Sequence, residues 1–263
     1  MQTKDGKFVA SKLKKLGVWN KLKGKRILVT GGTGFVGHWL DVPGLDVTRL
    51  NSAGYLPVLR DKAHIWDYII HAAPCDPTDA HHAARVSGAR YLHISSGAVY
   101  DNPMSEIGRT HLRYEAFTNN HADDWGLDAV TARIFTIAGY GARPGRFALD
   151  TWIRQGMAGQ PLTVFNDGLS QRSYIYGADM AVWLLTILAH GVGVYDVGGV
   201  EPVRMYHVAE HIANHFAVSI NHVDNNLDPR PVYVPTIPMR ADELGLEIWT
   251  PFFWKAIDKT IEE

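Results

Sequence analysis

The sequence predicts an α/β fold built on a doubly wound parallel sheet, with a smaller lobe toward the C-terminus. Three observations carry this. Short apolar runs rich in β-branched residues recur along the chain, as buried strands do. Helical patterns separate these runs, which makes the strands parallel and places helices on both faces. A glycine-rich turn follows the first run and opens onto a helical pattern, the context in which such a turn binds phosphates.

In chain order, residues 1–26 hold nine Lys/Arg against one acid, Asp5, whereas the remainder holds 17 Lys/Arg against 26 Asp/Glu. Phe8, Val9, Leu13, Leu16 and Leu22 fall near one helical face, with Lys12, Lys14 and Lys15 elsewhere. A basic amphipathic helix can lie on a membrane or hold an acidic partner. The simpler expectation is that it packs on the acidic body through its apolar stripe. Residues 25–30 (KRILVT) read as the first strand and 31–37 as the turn. Further strands are predicted at 66–73 (WDYIIHAA), 91–94 (YLHI, ending at Ser95 and Ser96), 128–134 (DAVTARI) and 193–197 (GVYDV). Helices are predicted at 77–89, 109–125, 148–158, 178–190 and 205–217. Residues 161–164 and 232–234 suit short strands of the lobe, and the Gly and Pro beyond residue 139 suit its loops. The chain then divides into a basic N-terminal extension (1–26), a dinucleotide-binding core (27–138), and a mixed segment (139–263) that completes the core and forms the substrate lobe.

Composition narrows the function classes. With 46% hydrophobic and 20% charged residues in 263, disorder and fibrous structure are excluded. No apolar run approaches the ~20 residues of a membrane span, and no signal-peptide core opens the chain. A soluble, cytoplasmic protein is expected. The single cysteine, Cys75, excludes an internal disulfide and a cysteine-cluster metal site, and suits a reducing compartment. A net charge of −1 argues against nucleic-acid binding.

The turn reads Thr30-Gly31-Gly32-Thr33-Gly34-Phe35-Val36-Gly37. In the spacing G-x-x-G-x-x-G, Gly31 allows the tight turn, Gly34 lets a pyrophosphate approach the backbone, and Gly37 lets the next helix pack on the sheet. The phosphates are expected over that helix's N-terminus.

These segments, together with DVT at 46–48, HAAP at 71–74, SSGAVY at 95–100 and QRSYIYGADMA at 171–181, resemble extended short-chain dehydrogenase/reductases. The nearest group is the NAD-dependent epimerase/dehydratases that act on nucleoside-diphosphate sugars. The resemblance runs in order from about residue 24 to 217. It implies a Rossmann-like core binding NAD or NADP, a C-terminal lobe binding a nucleoside-diphosphate sugar, and a homodimer as a candidate assembly. By position, Gly31, Thr33, Gly34, Phe35, Val36 and Gly37 match the pyrophosphate loop, and Asp46 and Val47 match residues that flank the adenine. His71, Ala72 and Ala73 match the strand end along the cofactor, with Ser95 beside them. Ser96 matches the Ser/Thr that hydrogen-bonds the reacting hydroxyl or carbonyl. Arg172 matches the arginine that meets the sugar nucleotide's diphosphate, a task suited to a guanidinium fork.

Two departures stand against that pattern. The family's Tyr-x-x-x-Lys falls on Ile107 and His111, and isoleucine cannot exchange a proton; a lost acid/base typically costs ~10²–10⁴-fold in rate. Neither Tyr100 nor Tyr114 is followed by Lys four residues on. Also, 37–67 is too short for the usual helix, strand, helix and strand. Either the first helix is clipped near Pro43, with 45–50 as the second strand ending at Asn51 and Ser52 rather than at an acid, or that strand is missing and Asp46 opens the DVT motif. What remains for chemistry is Ser96, with His111 and Tyr114 three apart near one helix face. Gly97 and Ala98 stand where dehydratases usually carry Asp-Glu, which disfavours a 4,6-dehydratase.

Other candidates are weaker. His207, His211 and His215 repeat every four residues on one flank of a helix, but nothing completes a metal site, and none is expected. Cys75 has no evident base partner. Phe147, Trp152 and Tyr174 are candidates to stack on a nucleotide or sugar, or to pack in the core. The function expected is a divergent NAD(P)-dependent nucleotide-sugar epimerase, dehydratase or reductase; the alternative is a non-redox protein that binds a nucleotide or nucleotide sugar.

Overall fold

The computed structural model describes residues 3–51, 58, 65–101, 105–142, 145–224, 232–235, 240–250 and 253–262. Its centre is a six-stranded sheet. The strands are β1 (Arg26–Thr30), β2 (Asp46–Leu50), β3 (Tyr68–His71), β4 (Arg90–Ser96), β5 (Ala129–Ile134) and β9 (Gly193–Val197), in the order β2-β1-β3-β4-β5-β9. Every pairing is parallel. This is a Rossmann-like α/β sheet, and the near-continuous apolar runs follow from burial on both faces. Ile27 and Val29 of β1 enter one core, with Ile70, Leu92 and the helix Gly177–His190. Leu28 enters the other, with Ile69, Ala80, Ala84 and Tyr91, under the helix Thr78–Ser87.

The connection from β1 to β2 departs from the expected helix. Residues 31–45 contain only a four-residue 3₁₀ turn, Gly37–Leu40, before the chain folds back through Pro43 and Gly44. The second strand is present, paired with β1 from Arg26↔Asp46 to Thr30↔Leu50, so the helix is clipped and the strand kept. The helix Thr3–Lys15 packs beside Gly177–His190 on the same sheet face. Its Val9 and Leu13 are fully buried, as is Leu22 after it, and the Tyr176 hydroxyl donates to Asp5 at 3.1 Å. The extension is thus part of the core, and it covers surface that the shortened connection leaves bare.

The smaller lobe contains β6 (Thr136–Ala138), β7 (Leu162–Phe165), β8 (Gln171–Tyr176), β10 (Pro202–Arg204), β11 (Ile220–Val223) and β12 (Val232–Tyr233). Strand β8 pairs with β6 and β12 in parallel and with β10 antiparallel, while β7 pairs with β11. The helices Ala148–Met157 and Met205–Phe216 pack on each other beside β7, and Phe253–Glu262 lies against β8. No helix of the described residues is long and apolar enough to cross a membrane.

Candidate active site

The sheet order reverses between β1 and β3, and ligands of such sheets bind beyond the carboxyl ends at that point. The glycine turn lies there. Gly31 has φ +67°, and a Cβ on it would stand 2.6 Å from the Ala72 carbonyl oxygen. A Cβ on Gly37 would strike the backbone of Gly31 and Gly32, whereas one on Gly34 would meet only the Gly31 carbonyl at 3.1 Å. The turn spends the N–H groups of Gly32, Gly34, His38 and Trp39 on backbone carbonyls. Those of Thr33, Phe35 and Val36 have no protein acceptor among the described residues. Unspent N–H groups beside an open Cα fit the oxygens of a dinucleotide pyrophosphate. The expected long helix is absent, however, so little macrodipole stands behind this turn. Its place is taken by Trp39, fully buried, with ring centroids 4.6 Å from Tyr140 and 5.4 Å from Tyr176.

Asp46 and Val47 do not reach this end of the sheet. They pair with Arg26 and Ile27 at the start of β2, about 13 Å along the strand from Leu50 at ~3.3 Å per residue. The adenine-flanking expectation is corrected: Leu50 and Asn51 stand beside the turn instead. Arg49 packs against Gly32 and pairs with Asp41 at 3.0 Å. At the end of β3, Ala72 and Ala73 are half-buried. The His71 ring points into the interior, where Nε2 donates to the Cys75 carbonyl (3.2 Å) and Nδ1 accepts from the Thr30 hydroxyl (2.9 Å). Burial lowers its pKa to about 4.

Ser95 and Ser96 end β4 and point to opposite faces of the pleat. Ser95 donates to the buried Glu115 at 2.5 Å. Glu115 also accepts from Arg133 at 2.9 and 2.6 Å; Arg133 reaches the Tyr100 hydroxyl, and Tyr100 donates to Asp196 at 3.3 Å. Burial raises the Asp196 carboxyl to about 6. The Ser95 hydroxyl is therefore spent inside the core. Ser96 faces outward: its Oγ accepts from Ala98 N–H at 3.2 Å and lies 3.0 Å from the Tyr233 hydroxyl. Tyr233 pairs with Arg172 across β12 and β8, and the Arg172 guanidinium carbon is 5.5 Å from the Tyr233 ring centroid. Ser96, Tyr233 and Arg172 thus form one cluster spanning core and lobe. No motif marks Tyr233; in sequence it is one residue of a short lobe strand.

The helix Glu106–Trp125 is capped by Ser105, whose Oγ accepts from Gly108 N–H at 3.0 Å. Ile107 on its first turn is 52% exposed. His111 is partly buried, with Nδ1 unpartnered among the described residues, and desolvation lowers its pKa. The buried Tyr114 hydroxyl accepts a long bond from Arg113 (3.5 Å). Among the described residues neither His111 nor Tyr114 hydrogen-bonds Ser96; the lobe, not this helix, supplies the side-chain partner of the Ser96 hydroxyl. Trp152 and Tyr174 are also corrected. Both are core residues, at 4% and 5% exposure, with Trp152 Nε1 donating to the Thr163 carbonyl and the Tyr174 hydroxyl to Met205 Sδ. Phe147 is 44% exposed, packs on Phe35 of the turn at 5.7 Å between centroids, and lines a cavity of about 250 Å³ with Tyr140 and Ile153. His211 is engaged by Asp258 at 2.6 Å, and no cluster of three metal-ligating side chains forms among the described residues.

Residues 68–198 match the model of the NAD dependent epimerase/dehydratase family. Over this stretch, just under half of the chain, the sequence is similar to that family. The matched part of the chain begins at β3 and includes Ser96 and Arg172, while the glycine turn precedes it. It is 31% identical over 103 residues, 38% of its length, to an uncharacterized UDP-glucose epimerase of Bacillus subtilis. The first curated relatives are longer proteins, of which the match covers 32% and 25%. Among solved structures, the fold matches an epimerase of Methanothermobacter thermautotrophicus with a TM-score of 0.81 at 20% identity, covering 94% of both chains. It also matches the dTDP-glucose 4,6-dehydratase of Streptomyces venezuelae with NAD and TYD bound, at TM-score 0.75 and 19% identity, over 90% of this chain and 96% of that one.

Proposed function

We propose that this chain binds NAD or NADP at the turn 31–37 and a nucleoside-diphosphate sugar at the cleft between core and lobe. Arg172 holds the diphosphate, and Ser96 holds the sugar hydroxyl or carbonyl at which oxidation or reduction occurs. The observation that carries this reading is the position of Tyr233, which touches both Ser96 and Arg172. A phosphate-binding guanidinium and a hydroxyl-binding serine are thereby one aromatic ring apart. Relatives described as acting on nucleotide sugars support the substrate class. When bound, the dinucleotide supplies a hydride acceptor or donor. The backbone of Thr33, Phe35 and Val36 holds its pyrophosphate, and Ala72 and Ala73 line its path. Gly97 and Ala98 after Ser96 offer no carboxylate for dehydration, so epimerisation or reduction is favoured.

A second reading, a nucleotide-sugar-binding protein without redox chemistry, draws on Ile107, which stands half exposed where the family's tyrosine belongs. Calorimetry with NAD, NADP and UDP-glucose tests the site. We expect binding of a dinucleotide that Gly34→Glu abolishes, because its side chain enters the open space beside Gly34 with negative charge. No heat with any of the three, or equal dinucleotide affinity for Gly34→Glu, would remove the assignment. Binding of UDP-glucose with a dinucleotide but no exchange of hydride would favour the second reading.

A further inference from the structure

The chain lacks the helix tyrosine but places another tyrosine at the same serine. Tyr233 Oη lies 3.0 Å from Ser96 Oγ. Its ring is held between two neighbours: the Phe135 ring, with centroids 5.2 Å apart, and the Arg172 guanidinium. Phe135 is itself fixed, since its ring occupies the space beside Gly97, where a Cβ would stand 2.5 to 2.7 Å from three ring atoms. The other tyrosines near the carboxyl end of β4 are engaged elsewhere. Tyr100 joins Arg133 and Asp196, and Tyr114 meets Arg113. Tyr233 therefore has what a proton-transfer group needs: a hydroxyl within reach of the serine that binds the reacting oxygen, and a cation over its own ring, whose field favours the anionic form.

We propose that Tyr233 is the acid/base residue of this site, supplied by the lobe in place of the tyrosine missing at Ile107. In oxidation, Tyr233 acts as the tyrosinate, its own proton having first passed to solvent: the O–H bond of the sugar hydroxyl held by Ser96 breaks and that proton forms the Tyr233 Oη–H bond. The carbinol C–H electron pair leaves as hydride to an oxidised nicotinamide dinucleotide, and the C=O bond forms. Reduction reverses each transfer. This rests on the function proposed above. It adds that the two lobes must be together for chemistry, because Ser96 comes from one and Tyr233 from the other.

The test uses the full chain with NAD and UDP-glucose as probes, carbon-13 labelling of the tyrosine ring, and Tyr233→Phe. That variant keeps the ring that packs on Phe135 and Arg172. We expect both probes to bind it within about twofold of wild type while NADH formation falls ~10²–10⁴-fold, with loss of one limb of the pH–rate profile. In wild type, the resonance absent from Tyr233→Phe should shift when both probes are bound. Should Tyr233→Phe not fold, Ser96→Ala serves to assign that resonance by perturbing its nearest hydroxyl. An unmoved Tyr233 resonance with both probes bound, a wild-type rate for Tyr233→Phe, or bound probes without wild-type turnover would each overturn the acid/base role alone. Failure of wild type to bind either probe would overturn this inference together with the reading beneath it.

Discussion

Trp39 and Gly177 lie so close that the indole occupies the space of a Cβ on the glycine. The clipped connection from β1 to β2 passes through this contact. Without a crossover helix, the turn that carries Gly31 to Gly37 is held to the body by Trp39, seated on Gly177 and Gly139, together with the buried Leu40 and Val42. Trp39 is fully buried, and its Nε1 has no hydrogen-bond partner among the described residues, so its value is packing.

Trp39→Ala should therefore cost ~3–5 kcal/mol of stability, as large aromatic truncations in cores do. It should also weaken dinucleotide binding at the proposed site, since an anchor of the glycine turn is removed. Denaturant unfolding and calorimetry check the two effects. Wild-type stability in Trp39→Ala would show that Thr3–Lys15 alone secures this face.

Arg172 offers a cleaner division between the two proposed ligand sites. It lies in the lobe beside Tyr233, not at the glycine turn. Arg172→Ala should weaken UDP by ~1.5–3 kcal/mol, the range of a hydrogen bond to a charged group, and leave NAD within about twofold. Equal weakening of both ligands in calorimetry would make Arg172 a structural residue.

Five of the six sheet strands were legible in the sequence because each is a short apolar run, whereas β2 (DVTRL) is not; the helices at 148–158, 178–190 and 205–217 lie within a residue of those found. The turn was legible for the same local reason. The missing first helix was half legible: the distance from Gly37 to the next strand left too little chain, but that length alone could not choose between a clipped helix and a lost strand. Pairing with β1 decided it. The partner of Ser96 was not legible at all. It is 137 residues away and arrives through β12, whose position depends on pairing with β8. Trp152 and Tyr174 show the converse difficulty: an aromatic side chain reads alike in sequence whether it faces a ligand or the core.

His71 and His93 are register partners on β3 and β4, with nearly parallel rings 6.2 Å apart, and His81 approaches from the helix Thr78–Ser87 with hydrogen bonds to His121 and Thr118. His111 and Glu115 face this layer from the helix Glu106–Trp125, and Asp76 from the loop after β3. His93 is 1% exposed, and neither ring nitrogen has a partner among the described residues. Burial lowers His71 to about 4 and His81 to about 3, and holds His93 well below its ordinary value. An unfolded histidine titrates near 6.5, so below that pH the unfolded chain takes up protons that the folded one rejects. The stability is present in full above 6.5 and is lost as pH falls toward 4, at up to about 1.4 kcal/mol per pH unit for each histidine. Asp179 and Asp196, raised by burial to about 6, act in the opposite sense: folding favours their protonation, so they add stability as pH falls from about 6 toward 3.8. Three histidines outweigh two carboxyls across the shared window, and the net effect is a loss. His93→Leu removes one titrating group and two unsatisfied nitrogens from a buried layer, so it should be at least as stable as wild type at pH 7. Its unfolding free energy between pH 6.5 and 4 should fall less steeply by up to one proton's worth. Urea unfolding at intervals across that range measures both slopes. If they coincide, His93 is protonated equally in both states and does not contribute to the acid sensitivity.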